Sequence, residues 1–291
     1  MYRAKETGRG TVAFFDAAMH AHAVHQQSLH TELRRALEEH EFEVHYQAIV
    51  DLDSGRTDRF EALVRWHHPE RGLLLPEEFL PVMAEVGMIV GLGHWVIDEV
   101  CRQLAAWGPG VANVSVNVSD REFWHKALLT QVLKTLWRHH LTADRLTLEI
   151  TEGVIMRAPE AALRLMNEMH DAGLRLHIDD FGTGYSSLET LHRFPVDAFK
   201  IDRSFIRGLT TGDRSDELVR AIVAMGKALG LAVVAEGIET DEQLAFLHEI
   251  GCTTGQGFLF MPAVTGERAS DLCGRVLGAG NPDAARTIGA G

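Results

Sequence analysis

Cysteine is scarce in this chain: Cys101, Cys252 and Cys273 are the only three in 291 residues, and no CxxC pair occurs. That excludes a disulfide framework and makes a reducing compartment, the cytoplasm, the expected setting, although a longer parent protein is free to be membrane-attached. Positive charge is also short. The 28 Lys and Arg against 41 Asp and Glu leave a net charge of −13, so the basic footprint that polymeric nucleic acid needs is missing. A small anionic ligand stays open, provided that divalent cations stand between it and the acids. No apolar run reaches the roughly 18–20 residues of a membrane span, and no signal-peptide pattern is present. Residues 86–97 are apolar but are broken by glycines and by His94. A glycine-rich first turn is absent too, which argues against an open, doubly wound nucleotide-binding sheet.

What is there is an alternation of strand-like and helix-like segments. Strands are expected at Phe42–Val50, Arg59–Trp66, Ala112–Val118, Leu146–Ile150, Leu174–Ile178, Ala198–Ile201, Ala232–Ala235 and Thr253–Phe258. Helices are expected between them, at Trp95–Trp107, Lys126–His139, Pro159–Ala172, Asp216–Leu229 and Asp241–Ile250. Eight strands with intervening helices predict an α/β fold of the TIM-like (β/α)8 kind, in a barrel domain over residues 41–277. Residues 16–40 read as a linker helix, with Leu29, Leu33 and Leu37 at four-residue spacing. Residues 1–15 read as the tail of an upstream unit, and 278–291, rich in Gly and Ala, as a frayed tail. Sixteen histidines draw notice, but His20, His22, His25 and His30 have no Cys or acid to complete a site and read as a solvated helix face.

In a parallel barrel, chemistry sits where the strands end. The polar residues there are Gln47, Glu61, Asn117, Glu149, Asp179 with Asp180, Lys200, Glu236 and Gln256. Strand alternation in LTLEIT separates Glu149 from Leu146, Leu148 and Ile150, and in LRLHIDD it groups His177 with Asp179. Taken singly, Asn117, Lys200, Gln47 and Gln256 say little. Glu61 says more, because an acid inside an apolar strand asks for a partner. Five carboxylates converging at strand ends repel one another unless cations intervene. Oxygen-rich sets of this kind suit Mg²⁺ or Mn²⁺, and two ions about 3.5–4 Å apart form a clamp for displacement at phosphorus. A proton-abstracting, enolase-like metal barrel uses strand-end acids as well, but it leaves the paired Asp179–Asp180 unexplained.

The ordered segments HYQAIVDL (45–52), EALVRWHHPERG (61–72), VSVNVS (114–119), LEITE (148–152), IDDFGTGYSSL (178–188), FKIDRSF (199–205), VVAEGIET (233–240) and GCTTGQGF (251–258) carry a specific resemblance. Over about residues 30–265 the chain resembles the EAL domains of bacterial cyclic di-GMP signalling. The first residues, MYRAKETGRG, resemble the end of a GGDEF domain, which implies an upstream GGDEF domain in the full-length protein. The resemblance implies a barrel whose first strand is antiparallel, and a cyclic di-GMP-specific phosphodiesterase (a hydrolase) that uses two divalent cations to open the substrate to linear pGpG. The other outcome open to this family is a catalytically silent cyclic di-GMP receptor.

Residue roles follow from the resemblance. Glu61, Asn117, Glu149 and Asp179 would hold one ion, and Asp179, Asp180 and Glu236 the other. Lys200 would hold the attacking water, with Glu236 and Asp180 beside it in catalysis. Gln47, Glu61, Leu63, Arg65, Asp202 and Gln256 would meet substrate or its water. Glu152 would pin the loop at 181–187, which follows the fifth expected strand and would help to form a homodimer, and Glu239 would support the ligands from behind. Three departures from the family pattern are Ala48 in place of proline, Thr253 in place of aspartate, and the ending GFLFMPAV; the last two, at the eighth expected strand, point to an altered guanine pocket.

Overall fold

The computed structural model describes residues 29–109, 112–184, 191–209 and 215–277. The expected upstream remnant at 1–15 and the expected tail at 278–291 lie outside the described residues, as do His20, His22 and His25. Of the expected linker helix, residues 29–38 are described and helical (α1), with Leu29 and Leu33 buried against the core.

The elements then follow in the order β1 (Phe42–Asp51), β2 (Thr57–His68), β3 (Gly72–Leu74), α2 (Pro76–Glu85), α3 (Ile89–Trp107), β4 (Asn113–Val118), α4 (Asp120–Phe123), α5 (Leu128–Arg138) and β5 (Leu146–Thr151). They continue with α6 (Glu152–Met156), α7 (Pro159–Asp171), β6 (Arg175–Phe181), β7 (Ala198–Ile201), α8 (Arg203–Arg207), α9 (Ser215–Leu229), β8 (Ala232–Glu236), α10 (Asp241–Glu249), β9 (Thr254–Gln256), β10 (Val264–Thr265) and α11 (Gly266–Leu272). Hydrogen bonding runs β1-β9-β8-β7-β6-β5-β4-β2 and closes through β1–β2, an eight-stranded barrel. From β2 through β9 every neighbouring pair in that ring is parallel, whereas β1 is antiparallel to both β2 and β9. The expected fold class and the reversed first strand both hold.

The local sequence explains the layering. In β5, Leu146, Leu148 and Ile150 are fully buried, while Thr147 and Glu149 alternate with them; one set packs against the helices and the other points into the barrel. Helices start where a side chain can satisfy their free N–H groups. Ser119 and Glu122 form a capping box on α4, Thr240 and Gln243 form one on α10, and Pro159 occupies the first turn of α7.

Two elements run further than the sequence pattern foretold. The strands β1 and β2 pair from Val50–Thr57 to Phe42–Trp66, so the hairpin outgrows the barrel, and β3 pairs with its far end. Glu61 and Gln47 therefore face each other in mid-strand rather than at strand ends. The base of the extension is an aromatic cluster: Trp66 lies 5.8 Å from Phe42 and 5.7 Å, edge-on, from Phe79 of α2, and its Nε1 donates to Glu41 Oε2 at 2.9 Å. Losing such a buried ring costs about 3–5 kcal/mol, so this packing anchors the hairpin extension to α2.

Candidate active site

The parallel register sets the acids at one level. Asn117 pairs with Glu149, and Glu149 with His177, across β4, β5 and β6, while Lys200 lies two residues beyond the Ala198 that pairs with His177. Glu236 and Gln256 pair at the ends of β8 and β9. The result is a ring of polar side chains closed over one ammonium.

Lys200 Nζ lies 2.6 Å from Glu149 Oε2, 2.5 Å from Glu236 Oε1, 3.2 Å from Glu61 Oε2 and 3.5 Å from Asp179 Oδ1. Glu61 is clamped on its other sides, by Asn117 Nδ2 at 2.6 Å and Gln256 Nε2 at 2.6 Å. Lys200 and Glu149 are each 1% exposed, so this is a buried charge cluster in which one cation faces four carboxylates.

The titration behaviour follows from that imbalance. Burial pushes Glu149 up, but the adjacent Lys200 ammonium and His177 outweigh it and hold the carboxyl at about 2. Burial, only partly offset by Lys200 and reinforced by Glu149 and Glu61, carries Asp179 up to about 7. Glu236 is likewise driven well above the usual carboxylate range by burial, and Asp180 is raised by burial and by Asp202. Lys200 is held protonated by its four acidic neighbours against the cost of its own burial. A single protein cation is thus insufficient to keep all these acids ionised.

Two atoms show where further positive charge fits. Glu149 Oε1 is buried without a hydrogen-bond partner, 3.5 Å from His177 Nδ1, and Gln256 Oε1 is buried and equally unpaired. Unsatisfied buried oxygens beside protonation-prone carboxylates are what an oxygen-binding divalent cation satisfies.

Asp179 and Asp180 are sequence neighbours, and regular alternation would send them to opposite faces. Here the ladder between β6 and β7 shifts register between Ile178 and Phe181, and Asp180 adopts φ 53°. That left-handed kink, tolerated by Asp more readily than by bulkier residues, turns Asp180 back toward the mouth. Beyond it, Glu152 Oε2 accepts from the backbone N–H of Gly182 at 3.0 Å and of Gly184 at 3.4 Å. A Cβ on Gly184 would stand 2.7 Å from Glu152 Oε1, so the loop approaches that carboxylate as only glycine permits. Residues 185–190, and with them the expected dimer-forming part of this loop, lie outside the described residues.

Above the ring opens a cleft of about 490 Å³. Of the expected substrate residues, Gln47, Glu61, Leu63, Arg65, Asp202 and Gln256 all line it, and so does Glu239. Asp202 also caps α8, accepting from Ser204 N at 3.0 Å. The departures at the chain's eighth expected strand reach the cleft through Phe258 and Ala263, whereas Ala48 is buried opposite Phe60. Sequence reasoning missed Pro76 and Glu77 at the start of α2, and Arg203 and Arg207 on α8, which also line the cleft. The spacing of the two arginines by four residues in RSFIR was the available signal, since it places both on one face of a helix.

A closed barrel with one reversed strand and a carboxylate ring at its mouth defines a class of acid-lined α/β barrel. Within that class the chain belongs to the EAL domain family, whose model matches residues 30–263. It is 44% identical over 269 residues to the bifunctional diguanylate cyclase/cyclic di-GMP phosphodiesterase MucR of Pseudomonas aeruginosa, and the match covers 90% of this chain and 39% of that protein. It is 42% identical over 273 residues to the cyclic di-GMP phosphodiesterase PdeR of Escherichia coli, over 92% of this chain and 41% of that protein. The chain thus spans about two fifths of these relatives' length. Among solved structures, the PaMucR phosphodiesterase in complex with c-di-GMP superposes with a TM-score of 0.81 at 42% identity, covering 83% of this chain and 99% of that one. Among the described residues, no helix is long and apolar enough to cross a membrane.

Proposed function

We propose that this chain is a metal-dependent phosphodiesterase that hydrolyses cyclic di-GMP to linear pGpG. The observation that carries this reading is the buried ring of Glu61, Glu149, Asp179 and Glu236 around Lys200, in a family whose relatives bear that activity in their names.

Glu61, Asn117, Glu149 and Asp179 would hold one divalent cation, and Asp179, Asp180 and Glu236 a second, with Mg²⁺ or Mn²⁺ matching the oxygen-rich donors. When bound, the ions supply the positive charge that lets a phosphodiester approach these acids and that lowers the pKa of water toward neutrality. The chain's own groups do the rest. Arg65 meets a phosphate of the substrate, and Gln47 and Leu63 position the ring beside it. Lys200 keeps its proton, orients the attacking water and stabilises that water once deprotonated. Glu236, 2.5 Å from Lys200 Nζ, is placed to take the proton. The attack is in line at phosphorus; the bond to the ribose 3′ oxygen breaks and the ring opens. Arg203 and Arg207 also line the cleft, and they match the charge of the second phosphate.

The test is to incubate the purified chain with cyclic di-GMP and Mg²⁺ or Mn²⁺, with a chelator control, and to separate the products. Metal-dependent appearance of pGpG supports the reading. Tight binding of intact substrate without turnover replaces it with a receptor.

A further inference from the structure

The β1–β2 hairpin carries a second set of metal-ligating side chains, outside the acid ring. Glu43 and His45 alternate along β1, so both project from one face, and His67 comes from β2, two residues beyond the Arg65 that pairs with Glu43. Glu43 Oε2 lies 3.3 Å from His45 Nε2 and 2.5 Å from His67 Nε2. One donor atom from each of the three residues falls within 4.8 Å of the other two. Strand pairing puts the three residues on one face with Glu43 between the two histidines, and their side chains converge on its carboxylate.

None of the three lines the catalytic cleft, and the proposed hydrolysis gives them no task. Their chemistry also differs from that of the ring: two imidazoles and one carboxylate suit a borderline ion such as Zn²⁺, whereas Mg²⁺ prefers oxygen alone. Tetrahedral bonds of about 2.0–2.2 Å put neighbouring donors about 3.3 Å apart, the separation already present between Glu43 and His45. The His67–Glu43 hydrogen bond needs to open by less than an ångström. His67 can yield, since its side chain is 55% exposed while that of His45 is 14% exposed. That exposure also provides the entry path and leaves room for water as a further ligand.

We propose that Glu43, His45 and His67 form a binding site for a single Zn²⁺-class ion, independent of the divalent pair assigned to the acid ring. The site stands or falls separately from the catalytic reading.

The test is equilibrium dialysis of chelator-stripped protein against Zn²⁺ in excess Mg²⁺, which occupies the oxygen-rich acids, with the bound metal counted by elemental analysis. Wild type is expected to retain about one equivalent more than His67→Ala, and His45→Ala is expected to bind that equivalent at least tenfold more weakly. Zn²⁺ at saturation is expected to raise the melting temperature of wild type but not of His67→Ala. His67→Gln, which keeps a hydrogen bond to Glu43, guards against a folding defect and is expected to lose the ion in the same way. Equal stoichiometry and affinity in wild type and all three variants would overturn the site and leave Glu43, His45 and His67 as a hydrogen-bonded cluster.

Discussion

Lys200 Nζ donates to Glu149 Oε2 at 2.6 Å, and both side chains are almost wholly excluded from solvent. The pair spans β7 and β5, with His177 of β6 on the far side of the same carboxylate. Lys200 is therefore the counter-charge of the acid ring as well as a candidate water holder, and the two tasks give separable predictions.

Removing that ammonium leaves four carboxylates without their common partner. Lys200→Ala is expected to lose about 3–5 kcal/mol of stability in the absence of metal, and added Mg²⁺ should recover more of it than it adds to wild type. In the metal-loaded enzyme the same substitution is expected to lower kcat by at least about a hundredfold with KM nearly unchanged. Chemical denaturation with and without Mg²⁺, together with steady-state kinetics, checks both. A KM loss as large as the kcat loss would argue for a substrate-binding lysine instead.

Glu61 is held by three partners at once, Asn117, Gln256 and Lys200. Glu61→Ala is expected to abolish metal binding and turnover together, because it removes a ligand and leaves the Asn117 and Gln256 amides without the carboxylate they donate to. Metal-binding titrations and product analysis on the same preparation test this, and wild-type turnover in the variant would remove Glu61 from the ligand set.

How much of this was legible in the sequence depends on how local the cause was. The inward placement of Glu149 and the outward placement of Leu146, Leu148 and Ile150 follow from alternation alone, and so the strand was readable within a residue of its bounds. Neighbouring Asp179 and Asp180 break that rule through a register shift and one positive φ, which no alternation pattern announces. Glu61 was legible as an acid inside an apolar strand, but its pairing with Gln47 was not, because it depends on the register of a hairpin held by Phe42, Trp66 and Phe79 packing across three elements. Arg203, Arg207 and Glu77 escaped notice for a related reason: they reach the cleft from the helices α8 and α2 rather than from strand ends.

Glu152 holds the loop after β6 by accepting from Gly182 and Gly184. Glu152→Ala removes the acceptor shared by the N–H groups of Gly182 and Gly184, two and four residues beyond Asp180, so the kink that turns Asp180 inward loses its anchor. The variant is expected to need at least about tenfold more Mg²⁺ for half-maximal activity, a free-energy loss of about 1.4 kcal/mol at the metal site. A Mg²⁺ titration of turnover measures it, and an unchanged metal requirement would separate the loop from the ligands.

Glu122 supplies a pH dependence outside the acid ring. It is 4% exposed, accepts from Ser119 N at 3.0 Å and from Ser119 Oγ, and packs so closely on α3 that a Cβ at Gly93 would collide with its Oε1. Burial, opposed by the Ser119 hydrogen bonds, raises its carboxyl from 4.5 to about 7. The folded protein therefore holds this proton more tightly than the unfolded chain. Its stabilising effect is complete below pH about 4.5 and is lost as pH rises through about 7, by up to about 3 kcal/mol. Glu122→Gln keeps an acceptor for Ser119 and cannot ionise, so it should match wild type near pH 4 and exceed it near pH 8. Urea denaturation at the two pH values measures the difference, and a wild-type-to-variant gap that does not change with pH would show that Glu122 ionises freely where it stands.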